Sequence, residues 1–171
     1  MHITLLPATT SKKPIIANLL QLYLHDCSVF NEGDLDDSGL FHYASFENYW
    51  TQPAHHAFLI YADKRLVGFA FINRKSLTNT AFDGYAIADL FVLRRYRRLG
   101  IGRAAAESLF NRYPGKWEVA TFAANVPAQA FWRSVINQYT SGSYTEIWQQ
   151  TTNWRGHIRQ FVARLPSTNK N

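Results

Sequence analysis

Residues 88–104 of the chain read ADLFVLRRYRRLGIGRA. The segment from Ala86 to Leu93, which overlaps the start of this run, is almost wholly apolar and is typical of a strand at the centre of a sheet. An arginine-rich turn follows it, and the pattern from Gly100 to Phe110 predicts a helix. A buried strand that leads through a glycine-containing turn into a helix indicates an α/β fold.

The turn between this strand and this helix has the residues of a phosphate-binding loop. Five arginines lie between Arg94 and Arg103. Backbone N–H groups at the start of a helix are unpaired, and the helix dipole is positive there. Glycines let that backbone approach a phosphate, and arginines add charge-assisted hydrogen bonds. The residues therefore predict a pyrophosphate cradle, and the alternative is a solvated basic turn before an ordinary helix.

Two other nucleotide-binding motifs fit this turn less well. Gly100-x-Gly102-x-x-Ala105 matches the dinucleotide fingerprint, which also needs an acidic residue at the end of the next strand. Here Glu118 lies near the start of that strand, and too few residues follow for a doubly wound sheet. The P-loop pattern is missing, because no Lys-Ser or Lys-Thr follows the glycines.

The sequence on either side of the turn predicts a mixed α/β arrangement. Helices are predicted from Lys13, around His42 to Trp50, from Gly100, and after Asn125, which is expected to cap the last one. The predicted strands are Ile3–Leu6, Ala57–Tyr61, Leu66–Ile72, Ala86–Leu93, Trp117–Ala123, Tyr144–Trp148 and His157–Ala163. The second and third of them are expected to form a hairpin that turns at Asp63-Lys64.

Length and composition limit the class of protein. The chain has 171 residues, of which 47 % are hydrophobic, so we expect one folded domain over residues 1–166 and a flexible polar tail over 167–171. The single cysteine, Cys27, excludes an internal disulfide and favours a reducing compartment. No apolar run resembles a signal peptide or a membrane span, so we expect a cytoplasmic protein without a membrane partner. The net charge of +6 is compatible with nucleic acid or with an anionic small molecule.

Three motifs together resemble the GNAT superfamily of N-acetyltransferases. Arg97-x-x-Gly100-x-Gly102 is similar to the acetyl-coenzyme A signature of that family. Asp89-Leu90-Phe91-Val92 resembles its fourth strand, and residues 125–132 (NVPAQAFW) resemble its later Asn-x-x-Ala-x-x-Phe-Tyr helix. The resemblance covers nearly the whole chain. It implies a GNAT fold with a central mixed sheet of about seven strands and about four helices, with acetyl-coenzyme A as the acyl-donor substrate and no metal.

The resemblance also implies how the donor is held. The backbone of Leu90 to Val92 is expected to pair with the pantetheine arm as an added strand. The turn from Arg97 to Arg103 is expected to hold the pyrophosphate, and Asn125 to bond the arm from the next helix. The implied donor-binding residues are Leu90, Phe91, Val92, Arg97, Arg98, Leu99, Gly100, Ile101, Gly102, Arg103, Asn125, Phe131 and Trp132.

The usual catalytic side chains of such enzymes are absent from their usual positions. Trp132 stands where relatives often have a tyrosine that acts as a general acid. Ala88 stands where the polyamine enzymes have a glutamate. Asp89 is the one carboxylate on the central strand, and it is either a general base acting through water or a structural acceptor. Glu118 on the next strand is the second catalytic candidate.

An acidic loop from Glu32 to Asp37 suggests the kind of acceptor. Its carboxylates would attract a cationic amine, although a solvated loop explains them equally well. We therefore predict acetyl transfer to a primary amine of a small cationic acceptor, by direct attack in a ternary complex. The alternatives are a non-catalytic acyl-coenzyme A-binding module and a protein or peptide N-acetyltransferase.

Other classes of function find less support. Nucleic-acid binders spread basic residues along a face, whereas here they are concentrated in one turn, so we expect no nucleic-acid partner. The six histidines and Cys27 show no zinc-ligand spacing. The sequence is compatible with a homodimer and does not determine the oligomeric state.

Overall fold

Seven strands and four α-helices make up the regular structure in residues 1–31, 33–152 and 154–164, the residues that the computed structural model describes. The strands are β1 Ile3–Pro7, β2 His56–Ala62, β3 Arg65–Asn73, β4 Tyr85–Val92, β5 Gly115–Phe122, β6 Tyr144–Gln150 and β7 Arg155–Ala163. The helices are α1 Lys13–Cys27, α2 Asn48–Thr51, α3 Ile101–Arg112 and α4 Val126–Thr140. Glu32 of the acidic loop, the end of the predicted domain and the predicted tail lie outside the described residues.

The strands form one mixed sheet in the order β1-β2-β3-β4-β5-β7-β6. β4 and β5 run parallel, with Tyr85 to Ile87 opposite Trp117 to Val119. The pairs β1–β2, β2–β3, β5–β7 and β6–β7 run antiparallel. The predicted fold, with its mixed sheet of about seven strands and about four helices, is confirmed. Within the described ranges, none of the helices is long and apolar enough to cross a bilayer.

The hairpin between β2 and β3 turns where the sequence predicts it. Asp63 and Lys64 have φ angles of 46° and 68°, so both central residues are left-handed. Two left-handed residues define a type I′ turn, whose twist matches that of the flanking strands. The turn sets the register in which Ala62 lies opposite Arg65.

A close backbone approach joins β3 to β4. A Cβ atom on Gly68 would lie 2.0 Å from the carbonyl oxygen of Phe91, so no larger residue fits there. Nearby, the N–H of Leu93 donates to the carbonyl of Val67 at 2.9 Å. The two contacts hold the carboxyl end of β4 against β3.

The second predicted helix is shorter than expected. The pattern from His42 to Trp50 predicts about two turns, whereas α2 covers only Asn48–Thr51. The preceding residues form consecutive i→i+3 turns instead, in which the N–H groups of Phe46 and Asn48 donate to the carbonyls of Tyr43 and Ser45 at 3.1 Å. Just before them, the Gln21 amide accepts from the N–H of Phe41 at 2.8 Å and donates to its carbonyl at 3.0 Å. Tight turns of this kind satisfy the backbone locally without an α-helix.

The chain divides into two compact units. The first contains Met1–Asn73 and Asp89–Gly102, and the second contains Arg74–Ala88 and the described residues from Arg103 onward. In the first unit, the buried face of α1 (Ile16, Leu19 and Leu20) contributes to a core that includes the apolar side chains of β2 and β3. In the second unit, the ring of Phe110 packs edge-on against Trp117 and Phe161. The prediction of a single domain over residues 1–166 stays a prediction.

A buried guanidinium on β7 is the main electrostatic constraint of the second unit. Arg159 is 0 % exposed, and its Nη1 donates to Thr121 Oγ1 at 3.0 Å. Its Nε forms an ion pair with Glu146 Oε2 at 2.9 Å, and Nη2 has no hydrogen-bond partner among the described residues. Glu146 also accepts from Arg133 at 2.6 Å. A buried charge without a counter-charge is strongly destabilising, so the burial of the Arg159 guanidinium depends on Glu146.

The same carboxylate has a perturbed pKa. The hydrogen bond from Arg133 lowers the pKa of Glu146, and the charges of Arg159 and Arg133 add to this effect against the opposing effect of burial. A lowered folded-state pKa stabilises the fold above the unfolded value of about 4.3. That contribution is lost as the pH falls through the folded-state pKa.

Glu146→Gln should therefore lower the free energy of unfolding at pH 7 by about 3 kcal/mol, because it leaves the Arg159 guanidinium without a counter-charge. The difference from the native protein should shrink as the pH falls through the lowered folded-state pKa, where the native carboxylate itself becomes protonated. Urea unfolding at pH 7 and over a series of acidic pH values measures both effects. Glu47→Gln, which removes an exposed pair with Lys13, is the control and should change little. Equal losses in the two variants would contradict this account.

Candidate functional site

The turn between β4 and α3 has an unusual backbone. A single 3₁₀ turn covers Arg94–Tyr96, and α3 begins at Ile101. Between them, Arg98 and Gly100 are left-handed, with φ angles of 65° and 79°. A Cβ on Gly100 would meet nothing within 4 Å. Glycine is therefore favoured here by backbone conformation, and the space in front of it is open to a ligand.

The same turn presents unpaired donors. In the described part of the chain, the backbone N–H groups of Arg98, Leu99 and Gly100 donate to no acceptor. They precede the N-terminus of α3, where the helix dipole adds partial positive charge. Unpaired N–H groups, a positive dipole and open space fit a phosphate group.

Two of the arginines in the turn are held by one carboxylate. Asp26, near the end of α1, accepts from Nε and Nη2 of Arg94 at 2.9 and 2.6 Å. It also accepts from Nη2 of Arg97, whose Nε donates to the carbonyl of Val92 at 2.8 Å. Burial raises the pKa of Asp26, but the hydrogen bonds from Arg94 and Arg97 outweigh it and leave that pKa lowered. The Arg97 side chain, predicted at the pyrophosphate, is thus engaged by protein groups.

The other arginines differ in their surroundings. Arg103 donates to the side chains of Gln138 and Ser134, so its guanidinium fastens α3 to α4. The guanidinium of Arg95 lies 5.9 Å from the centre of the Tyr96 ring. Arg98 is exposed and has no side-chain partner among the described residues. Of the arginines predicted at the pyrophosphate, Arg98 is the one whose side chain is unengaged.

The carboxyl end of β4 directs its backbone groups alternately to its two sides. Because the N–H of Leu93 bonds to β3, the N–H and carbonyl of Val92 point away from β3, and so do those of Leu90. The backbone of Phe91 points toward β3, and its ring packs in the core 6.0 Å from Tyr23 and 5.8 Å from Phe69. Leu90 and Val92 are therefore the residues of this strand that can pair with a ligand.

The predicted residues on α4 form its first two turns. Asn125 is the N-cap, because its Oδ1 accepts from the N–H of Ala128 at 3.1 Å, as the sequence predicts. Trp132 is 6 % exposed and packs edge-on against Phe131, with ring centres 4.9 Å apart. The indole is thus part of the packing of α4. Direct contacts of Asn125, Phe131 and Trp132 with a ligand stay predictions.

Asp89 lies in a buried cluster of tyrosines. It is 8 % exposed, and the hydroxyl of Tyr43 donates to its Oδ2 at 2.5 Å. Burial raises the pKa of Asp89, although hydrogen bonds from Tyr23 and Tyr43 oppose the rise. Burial and the Asp89 charge in turn raise the pKa of Tyr43, and they raise that of Tyr49 to about 12. A carboxyl whose pKa is raised toward neutrality is suited to proton transfer.

Glu118 has very different surroundings. Its carboxylate accepts from Ser76 Oγ at 2.6 Å, from the N–H of Leu77 at 2.8 Å, from Thr78 Oγ1 at 3.1 Å and from Gln160 Nε2 at 2.9 Å. Four donors use the acceptor capacity of a carboxylate. Glu118 therefore anchors the loop between β3 and β4, and a catalytic role for Glu118 stays a prediction.

The acidic loop is only partly free to meet a ligand. Asp36 accepts from the N–H and hydroxyl of Ser38 and from the N–H of Leu40, and these bonds lower its pKa. Asp34 and Asp37 are exposed and have no side-chain partner in the described part of the chain. In the same part of the chain, no group of three His, Cys, Asp or Glu residues could hold a metal ion.

The sequence alone does not predict the contacts of two residues at these sites. Asp26 groups with the acidic loop in sequence, yet it pairs with arginines 68 and 71 positions later. Tyr43, one of nine tyrosines, meets Asp89 across 46 positions. No local pattern marks either residue, because both contacts depend on the tertiary fold.

Comparisons with known proteins agree with the fold and the motif. The model of the Acetyltransferase (GNAT) family matches residues 17–135. The structure of the ribosomal-protein-S18-alanine N-acetyltransferase from Escherichia coli is similar, with a TM-score of 0.63 and 16 % identity over 99 % of both chains. The structure of an acetyltransferase from Thermus thermophilus is also similar, with a TM-score of 0.65 and 15 % identity over 95 % of this chain and 97 % of the other.

A third similar structure contains ligands. It is the spermidine N-acetyltransferase from Vibrio cholerae in complex with coenzyme A and spermine, with a TM-score of 0.60 and 13 % identity over 94 % of this chain and 95 % of the other. At these identities the likeness concerns the fold alone. No curated protein sequence gives a significant match. The family model, however, matches more than half of the chain and includes the Gly100 turn, so this protein belongs to the GNAT family of acetyltransferases.

Proposed function

We propose that the protein transfers the acetyl group of acetyl-coenzyme A to the primary amine of a small cationic acceptor. The observation that carries this proposal is the left-handed turn at Gly100, with its unpaired N–H groups in front of α3. Family membership supplies the reaction class and the donor. A cytoplasmic location remains a prediction.

The chain offers a specific way to hold the donor. The N–H groups of Arg98 to Gly100 and the start of α3 would bind the pyrophosphate, with Arg98 as the arginine facing it. The backbone N–H and carbonyl of Leu90 would pair with the amides of the pantetheine arm, whereas the Val92 carbonyl already accepts from Arg97 Nε. Asn125 uses its Oδ1 as a helix cap, and its contact with that arm stays a prediction.

The reaction then needs positioning, polarisation and a proton acceptor. The amine nitrogen forms a bond to the thioester carbonyl carbon, the carbon–sulfur bond breaks, and the amine loses a proton. The N–H of Val92 would stabilise the charge that develops on the carbonyl oxygen. Asp89 would take the amine proton through water. Trp132 has no proton of suitable acidity, so solvent would protonate the leaving thiolate.

The charge of the acidic loop supports a cationic acceptor. The exposed carboxylates of Asp34 and Asp37 lie in an otherwise basic chain, and they would raise the local concentration of a polyamine-like ligand. The acceptors of the similar structures, a ribosomal protein in one and spermidine in another, are properties of those proteins. A peptide amine is therefore one outcome of an acceptor screen with a thiol-detecting readout.

Coenzyme A should raise the melting temperature of the native protein through linkage. At 100 times its Kd, the ligand adds about 2.7 kcal/mol to the free energy of unfolding. Gly100→Asp should abolish this shift, because it places a negative side chain in the open space of the turn. Gly39→Asp is a matched control, because Gly39 is also left-handed and open, with a φ of 77°. Differential scanning fluorimetry measures all three proteins. An undiminished shift in Gly100→Asp would exclude the turn as the pyrophosphate site.

Asp89→Asn should lower kcat by about 100-fold, because the proton acceptor is lost while one acceptor oxygen for Tyr43 remains. The free energy of unfolding, in contrast, should be higher in Asp89→Asn than in the native protein. Since burial raises the pKa of Asp89, its contribution to stability is present below the unfolded value of about 3.9 and is lost as the pH rises through the folded value.

The free energy of unfolding of Asp89→Asn should therefore rise relative to the native protein between pH 4 and pH 8. Thiol-release kinetics and urea unfolding over that range check both parts. A variant with native kcat, or one whose relative stability falls with increasing pH, would remove Asp89 from the chemistry.

Replacing Asp34 and Asp37 together by asparagine should raise KM for a cationic acceptor several-fold and leave the affinity for coenzyme A unchanged. Asp36 is left intact because it holds the loop. Salt should weaken acceptor binding more in the native protein than in the variant, since the Debye length is about 8 Å at physiological ionic strength. The control is the pair Asp63→Asn and Asp83→Asn, which makes the same charge change elsewhere. An unchanged or lower KM in the loop variant would reject a cationic acceptor.

A further inference from the structure

Asp26 has no part in the proposed chemistry, yet both of its carboxylate oxygens are used by the turn that precedes α3. Its side chain is 16 % exposed, at the last turn of α1. Oδ1 accepts twice from Arg94, and Oδ2 accepts from Arg97. One carboxylate therefore ties the end of a long helix to two points of the turn.

Arg97 extends this connection to β4. Its Nη2 is on Asp26, and its Nε donates to the carbonyl of Val92 at 2.8 Å. The planar guanidinium thus links α1, the last residue of β4 and the start of the left-handed segment, and a planar fork is well suited to hold two acceptors in fixed directions. The next residue, Arg98, is left-handed although it carries a side chain, so its conformation needs support from outside the turn.

We propose that Asp26 is a positioning residue for the acyl donor. By holding Arg94 and Arg97, it fixes the conformation in which the N–H groups of Arg98 to Gly100 remain directed at a phosphate. This inference rests on the proposed function. It assigns the binding strength of the turn mainly to its geometry and to Arg98, because the guanidiniums of Arg94 and Arg97 are both bonded to Asp26, which offsets one of their two charges.

A competing view makes the opposite prediction. If Arg94 and Arg97 are the phosphate ligands, Asp26 competes with the donor for them, and its removal should tighten binding. If Asp26 positions the turn, its removal should weaken binding even though the protein becomes more positive. The direction of the change separates the two views.

The first experiment is calorimetric titration of coenzyme A into the native protein and Asp26→Asn. We expect about tenfold weaker binding in the variant, the size of effect that follows from losing one hydrogen bond to a charged group. KM for acetyl-coenzyme A should rise, while KM for the acceptor stays the same. Asp83→Asn is the matched control, since it makes the same charge change at an exposed pair with Lys116. Asp26→Glu should restore part of the affinity.

The second experiment needs no ligand. The amides of Leu93, Tyr96 and Arg97 are hydrogen-bonded, and their hydrogen exchange should be faster in Asp26→Asn than in the native protein and in Asp83→Asn, while the amides of β5 and β7 exchange at native rates. Faster exchange throughout the chain would mean that Asp26 serves global stability, and it would overturn the inference. Native or tighter coenzyme A binding in Asp26→Asn would overturn it as well. If the native protein binds no coenzyme A, the proposed function fails, whereas the exchange result still decides whether Asp26 holds the turn.

Discussion

The hydrogen bond from the Leu93 N–H to the Val67 carbonyl sets the direction of every backbone group at the carboxyl end of β4. Since neighbouring residues of a strand point to opposite sides, this bond turns Phe91 toward β3 and leaves Leu90 and Val92 directed away from it. The close approach at Gly68 maintains the arrangement, because nothing larger than hydrogen fits between Gly68 and the Phe91 carbonyl. The backbone groups that β4 leaves directed away from β3 thus follow from how β3 and β4 pair.

Most arginine side chains between Arg94 and Arg103 are bonded to other groups of the protein, although their number suggests that they bind an anion. Asp26 bonds both Arg94 and Arg97 and offsets one of their two charges, and Arg103 is bonded to side chains of α4. Within the described residues, the groups of the turn without a polar partner are the backbone N–H groups of Arg98 to Gly100 and the side chains of Arg95 and Arg98. Backbone donors are fixed in position by the fold, so they lose little conformational entropy on binding, whereas a free arginine side chain loses up to about 2 kcal/mol. A geometric cradle also discriminates by shape in a way that a diffuse positive charge does not.

The sequence predicts the features that depend on local interactions. The Asp63-Lys64 hairpin, the Asn125 cap and the start of a helix at the Gly100 turn all follow from short-range rules, and the structure confirms them. The helix predicted from His42 to Trp50 is reduced to Asn48–Thr51, because the residues before it form i→i+3 turns. The partners of Asp26 and Asp89 lie 46 to 71 positions away, so no window of sequence contains them. The family resemblance indicates where a donor binds, but it does not predict which arginines are free.

The two candidate carboxylates show how burial alone fails to identify a reactive group. Glu118 is buried and meets four donors, so its charge is well satisfied and its carboxylate has little capacity left for a ligand. Asp89 is also buried, but its partners are phenol hydroxyls, and within the described residues no cation pairs with it. A buried carboxylate without a counter-charge is costly, and an asparagine could accept the same Tyr43 hydrogen bond at lower cost. This unfavourable placement supports the proposal that Asp89 is the proton acceptor.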